Sequence, residues 1–272
     1  MDRASANFGP AGEDEGVPEL LPPPPDREPD IADDFADGPD PDLWVTSYLA
    51  HWTTPERAEA RYETGPEGLV LRIDADQPDW RPEDAPMRVS NVQTGSFSGP
   101  VGSTRGTHRH RPDGLTVRTA VPTRLSWAPR RGRVDITVSA SDDPGCMLAA
   151  WLVGTEHESE HDRGEVCIFE IDARPGATKW TARCGIKAHG DDRLVTDMVE
   201  VALDHDARTP HTWTAIWGDG ETVIGCDGVV VFRAARTPRH PMFLMIDLFE
   251  LGEPGGEYPK TAVIHALRGW NA

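Results

Sequence analysis

The chain has 272 residues, a formal net charge of -19, 38% hydrophobic residues, 26 glycines and 25 prolines, a balance that fits one large globular domain with a polar appendage. An acidic chain without a basic stripe lacks the electrostatic footprint that supplies most affinity for nucleic acid, and it argues equally against polyanionic substrates. A neutral ligand is expected, with no nucleic-acid partner, and no run approaches the roughly 20 apolar residues of a membrane-spanning helix, so no membrane partner is expected either.

The charge is uneven. Positions 1–43 hold thirteen acidic residues against Arg3 and Arg27, more than half of the net excess. Residues 1–31 add Pro22, Pro23, Pro24 and Pro25 to these acidic runs and are predicted to form a disordered tail, because they cannot bury enough apolar surface to offset their ordering entropy. The opening MDRASANFGPAGEDEG carries no basic and apolar signal pattern. As it stands this predicts a cytoplasmic protein, and a secreted one if the start lies elsewhere.

From residue 32 to residue 272 the pattern is that of one β domain. LVLRID at 69–74, RVDITVSA at 133–140, VEVAL at 199–203 and TVIGCDGVVVF at 222–232 alternate apolar and polar residues with the period of strands. Their breaks are turn-forming: DDPG at 142–145, ARPGAT at 173–178 and CDG at 226–228. No long amphipathic helix competes, and many short strands over this length predict an all-β fold, an antiparallel β-sandwich of the jelly-roll kind. Cys146, Cys167, Cys184 and Cys226 show no CxxC pairing, so they are expected as free thiols rather than as a zinc knuckle or a disulfide scaffold.

The segment AAWLVGTEHESEHDRGEVCIFEID at 149–172 carries the chemistry. Glu165 and Glu170 lie five apart on one strand, and an odd separation puts side chains on opposite faces. They share a cleft only if a bulge absorbs one residue between them. Their carboxyls could then approach to about 5–5.5 Å, the spacing of a retaining glycosidase, whereas an inverting pair needs about 6.5–9.5 Å to seat a water.

GEVCIFE at 164–170 resembles the catalytic signature G-E-x-D-x-x-E of glycoside hydrolase family 16, the beta-glucanase and laminarinase family with a concanavalin A-like jelly roll. The neighbouring motifs follow in the same order. APRRGRVDITV at 128–138 is similar to the family's Y-G-R-x-E strand, MLAAWLVG at 147–154 to its W-P-A-F-W-L strand, and HTWTAIWGDGETVIGCDGVVV at 211–231 to its H-x-Y-x-x-x-W and D-G hairpin. The resemblance implies that Glu165 is the nucleophile and Glu170 the acid and base. It implies that Trp151 lines the floor of the sugar site, with Met147 in the place of the family's first tryptophan, and that His189 is a cleft histidine beside the nucleophile. Cys167 stands where the family has an aspartate, and a largely neutral thiol adds little charge between its neighbours.

If His189 faces the cleft, Lys187 and Gly185 do too and Cys184 points away. His157, Glu158, His161 and Asp162 read as a solvated polar loop rather than as a metal cluster. His108, Arg109, His110 and Arg111 form a basic island that could border the cleft, and Trp213 and Trp217 read as core. No motif for a metal, nucleotide or other cofactor is present. Two readings follow: a retaining glycoside hydrolase or transglycosylase on a neutral β-glucan or smaller β-glycoside, or the same sandwich used for glycan binding or for acid-base chemistry on a non-glycan small molecule.

Overall fold

The computed structural model describes residues 17–109, 114–172 and 180–272. His110 and Arg111 of the basic island, and the turn expected at 173–178, lie outside the described residues. In chain order the strands are β1 (Ile31–Asp33), β2 (Arg61–Gly65), β3 (Gly68–Ile73), β4 (Met87–Gln93), β5 (Gly95–Ser96), β6 (Arg124–Leu125), β7 (Gly132–Ser139), β8 (Cys146–Gly154), β9 (Glu165–Asp172), β10 (Thr181–Lys187), β11 (Asp197–Ala202), β12 (His211–Gly218), β13 (Glu221–Cys226), β14 (Val229–Ala234), β15 (Met242–Leu251) and β16 (Lys260–Asn271).

Two antiparallel sheets face each other. One runs β14-β13-β12-β7-β16-β3-β2, with β1 also paired to β16, and the other runs β11-β10-β9-β8-β15-β4. Among the described residues, helix is confined to single turns such as Pro55–Ala58. The expected all-β antiparallel sandwich is therefore the observed one, with the CDG run closing the β13–β14 hairpin.

The six-stranded sheet is apolar on both faces, which is why CMLAAWLVG reads as a continuous run rather than an alternating one. Leu148, Ala150 and Leu152 of β8, with Ile246 and Leu248 of β15, pack against Ile136, Trp213 and Trp217 of the facing sheet. The opposite face carries Met147, Ala149, Trp151, Cys167 and Met245. Loops bearing Tyr48, Trp52 and Trp80 fold over part of it. The remainder of that face holds the charged residues described below.

The bulge anticipated from the odd carboxylate spacing is present in β9. Along β8, Ala150 pairs with Phe169 and Trp151 with Cys167; along β10, Arg183 pairs with Glu170 and Gly185 with Cys167. Ile168 and Phe169 both turn into the core between the sheets. Glu165, Cys167 and Glu170 are thereby left on one face. Gly185, at φ 142°, meets a local requirement of its own: a Cβ there would lie 2.2 Å from the Asp197 carbonyl oxygen.

The acidic, proline-rich segment does not behave as a free tail up to residue 31. From Glu19 it runs antiparallel to the outer edge of β14, with Leu21 N donating to Gly228 O at 2.8 Å and Val230 N to Glu19 O at 2.8 Å. It then crosses the outside of the eight-stranded sheet. Arg133 donates to the Pro22 carbonyl at 2.7 Å, the Trp270 indole donates to Arg27 O at 3.1 Å, and the strap joins β16 through β1. Composition alone hides this, because prolines cannot donate but their carbonyls still accept hydrogen bonds.

Phe169 is fully buried and packs against Trp213 with ring centroids 5.4 Å apart. Phe169→Ala is expected to lower stability by about 3–5 kcal/mol, measured by urea denaturation, with a matching loss of whatever activity depends on the placement of Glu170.

Candidate active site

Three adjacent strands bring the site together. β9 supplies Glu165, Cys167 and Glu170, β8 supplies Trp151 and Met147, and β10 supplies Arg183 and Lys187. His189 follows β10 at a positive φ of 48°, a left-handed turn that brings its ring back over β9. The parity argument from the sequence holds, since Cys184 lies in the core and Lys187 on the charged face. All four cysteines are free and buried.

Glu165 is 1% exposed. Its two oxygens meet the Lys187 ammonium at 2.9 Å and the His189 Nε2 at 2.7 Å. Burial opposes its charge, but Lys187 and the hydrogen bond from His189 outweigh it and hold the carboxyl at a pKa of about 2. The Lys187 ammonium is disfavoured by burial in turn, yet the surrounding acidic groups, Glu165 foremost, hold it above the ordinary lysine range. Glu165 is therefore a charged carboxylate over the whole physiological range.

Glu170 accepts three donors. Lys187 Nζ reaches Oε1 at 2.5 Å, Trp151 Nε1 reaches the same oxygen at 3.2 Å, and Arg183 Nε reaches Oε2 at 3.0 Å. One oxygen of each glutamate and the Cys167 sulfur all lie within 4.8 Å of one another. The two carboxyls thus approach each other on one face, with Lys187 reaching both. Cys167 is fully buried, its thiol points to Arg183 O at 3.7 Å, and burial pushes its pKa well above the usual value. It fills the space between the carboxylates as a neutral group, not as a nucleophile.

Trp151 differs from the expectation of an open sugar platform. Its ring is 6% exposed. His108 stacks on it at 6.0 Å with an interplanar angle of 19°, and the Lys187 ammonium lies 5.2 Å from its centroid. The same His108 meets His189 edge to face at 5.4 Å. Trp151 instead orients Glu170 through its indole hydrogen bond. Met147 sits on the same face of β8 beyond Ala149, where Arg183 Nη2 contacts its sulfur at 3.6 Å. It belongs to the same face without approaching the two carboxylates through any contact described.

The basic island contributes His108 to the site. In the polar loop, Glu158 pairs with Arg130 at 3.0 Å and Asp162 with Arg193 at 2.9 Å. His108, Glu165 and His189 offer one ligand atom each within 4.8 Å, as do Glu165, Cys167 and Glu170. An ammonium 2.9 Å from Glu165 opposes a second cation at either place.

The sequence places Lys187 on the cleft face without a role, and it leaves Arg183 and Asp247 unplaced. Lys187 and Arg183 share the parity of His189, and that periodicity was their signal. Asp247 is fully buried on β15, paired with Ala149 on one side and Asn91 on the other, and its signal was a lone acid inside the apolar run FLMIDLF. Burial raises its pKa well above the ordinary carboxyl value, so it sits beneath the site as a neutral acid.

This architecture has counterparts among solved structures. The chain superimposes on the GlcNAcα1-4Gal-releasing endo-β-galactosidase from Clostridium perfringens with a TM-score of 0.78 at 20% identity, over 93% of this chain and 65% of that longer one. It matches the catalytic domain of a laminarinase, an endo-1,3-beta-glucanase, from Thermotoga petrophila with a TM-score of 0.59 at 16% identity, over 93% and 98% of the two chains. It matches a glycoside hydrolase family 16 endo-glucanase from Bacteroides ovatus with a TM-score of 0.59 at 10% identity, over 88% and 99%. No family profile and no curated protein sequence matches the chain. At these identities the likeness is one of fold: the protein has the jelly roll of glycoside hydrolase family 16.

Lys187→Met would leave Glu165 buried and short of its main counter-charge, at a cost of about 3–5 kcal/mol at neutral pH. In the native protein Glu165 contributes stability that is fully present above its unfolded value near 4.5 and is lost as the pH falls through about 2. In the variant the carboxyl takes up its proton at higher pH. The stability gap between the two proteins should therefore narrow on acidification, as read by denaturation at a series of pH values.

Proposed function

We propose that the protein is a retaining glycoside hydrolase or transglycosylase acting on a neutral β-linked glycan, with Glu165 as nucleophile and Glu170 as acid and base. The observation that carries this reading is the bulge that places two carboxylates on one face with oxygens within 4.8 Å. Glu165 is ionised and held by two donors, as a group that attacks an anomeric carbon must be. Its oxygen forms a bond to that carbon as the glycosidic bond breaks, and a proton from Glu170 neutralises the leaving oxygen. Glu170 then takes a proton from water, or from a sugar hydroxyl in transglycosylation, which attacks the same carbon and releases Glu165.

Lys187 sets a condition on this cycle. A carboxyl that carries a proton on Oε1 offers no lone pair at that position to an ammonium, so Lys187 must withdraw from Glu170 before proton delivery. Its neighbours His108 and Trp151 move with it if a sugar ring is to enter.

A second reading rests on that same observation. With Lys187 lodged between the carboxylates and the Trp151 ring covered, the site is built for a small ligand that engages an ammonium and two carboxylates. That ligand would be either a glycan bound without turnover or a non-glycan molecule transformed by acid-base chemistry.

The test is intact-protein mass spectrometry after incubation with fluorinated β-glucosyl, β-galactosyl and laminari-oligosaccharyl inactivators. β-Galactosides join the panel because the Clostridium perfringens structure is that of an endo-β-galactosidase. A stoichiometric adduct that maps to Glu165 and disappears in Glu165→Gln is the expected result. A folded protein that gives no adduct with any inactivator favours the second reading, and oligosaccharide binding then separates its two forms. Glu170→Gln is expected to slow hydrolysis of an unactivated glycan by about 10²–10⁴-fold, and to spare the first step on an aryl glycoside whose leaving group needs no proton.

A further inference from the structure

A second cluster of metal-binding side chains lies away from the carboxylate face, where the loop after β11 returns to β12. One ligand atom each from His205, Cys226 and Asp227 lie within 4.8 Å of one another. Cys226 ends β13, and Asp227 opens the hairpin turn at a positive φ of 48° that swings its carboxylate toward the loop. The three residues come from two separate stretches of chain and are held by the fold rather than by sequence proximity.

Neighbouring groups orient two of the three. His205 Nε2 is buried and has no hydrogen-bond partner among the described residues, while its Nδ1 faces Asp204 Oδ1 at 3.4 Å. Asp227 is oriented by Thr212 N at 2.9 Å and by His211 Nδ1 at 2.6 Å. His211 is itself fixed by the Thr209 hydroxyl at 2.9 Å and stacks on His205 with centroids 3.5 Å apart. Cys226 is a free thiol.

We propose that His205, Cys226 and Asp227 form a binding site for a zinc-like divalent cation. Imidazole, thiolate and carboxylate together suit zinc or cobalt rather than calcium or magnesium, which take oxygen ligands. Bonds of about 2.0–2.3 Å around a tetrahedral ion hold ligand atoms within about 4 Å of one another, so the cluster needs only a small closure. Water would complete the fourth position. On binding, the Cys226 thiol gives its proton to solvent as the sulfur–metal bond forms. The site joins β12, β13 and the loop that enters from the other sheet, which makes it a tie between the two sheets rather than part of the carboxylate site.

Titration of the full chain with cobalt(II) tests this. The expected result is one equivalent bound, with a thiolate-to-cobalt charge-transfer absorption in the near ultraviolet that zinc displaces. Cys226→Ser should remove that absorption, and His205→Ala and Asp227→Asn should each weaken binding at least about tenfold. Cys226 packs in the core, so the two other variants carry the test if Cys226→Ser fails to fold. A folded native protein without the absorption overturns the proposal. So does an absorption that survives His205→Ala and is lost in His189→Ala, which would place the ion at the carboxylate site.

Discussion

Everything on the charged face depends on one register constraint. β9 carries one residue more than its neighbours can match, and Ile168 and Phe169 both enter the core to accommodate it. Without that irregularity the period of two would turn Glu170 into the apolar core between the sheets, away from Lys187, Arg183 and Trp151. Packing enforces the bulge. Phe169 fits against Trp213, so the energy that stabilises the sandwich also decides which way a carboxylate points.

Once the carboxylates share a face, their mutual repulsion has to be answered. Lys187 answers it by standing between them, while Arg183 brings a second cation to Glu170 and His189 hydrogen-bonds Glu165. The buried groups divide sharply by charge state. Glu165 is kept ionised by its partners, whereas Cys167 and Asp247, equally buried, are kept neutral by desolvation. A thiol at position 167 leaves Lys187 with two carboxylates to serve instead of three, which allows a single ammonium to reach both.

Much of this was legible in the amino-acid order. Strand periodicity, the GEVCIFE segment and the odd spacing of Glu165 and Glu170 together imply the sandwich, the pair and the bulge, because each is a local property of the chain. The parity of His189 extended to Lys187 and Gly185 for the same reason. What was not legible depends on distant chain segments. The covering of Trp151 by His108 requires a loop more than forty residues upstream to fold across β8. The docking of residues 19–31 depends on acceptors and donors offered by β14, β7 and β16, which a local reading of an acidic, proline-rich run cannot supply.

That docked strap has a consequence for how the molecule meets other copies of itself. β14 is the last strand of its sheet, and a bare outer strand offers a row of amide and carbonyl groups on which any extended chain can build. Here Glu19 and Leu21 occupy the first of those groups, at Val230 and Gly228, and the four prolines that follow carry no amide hydrogen of their own to offer another chain. The protein thus covers the start of its own open flank with a segment that is a poor template. The low-hydrophobicity composition that suggests a lack of structure is what makes the strap a safe terminus for the sheet.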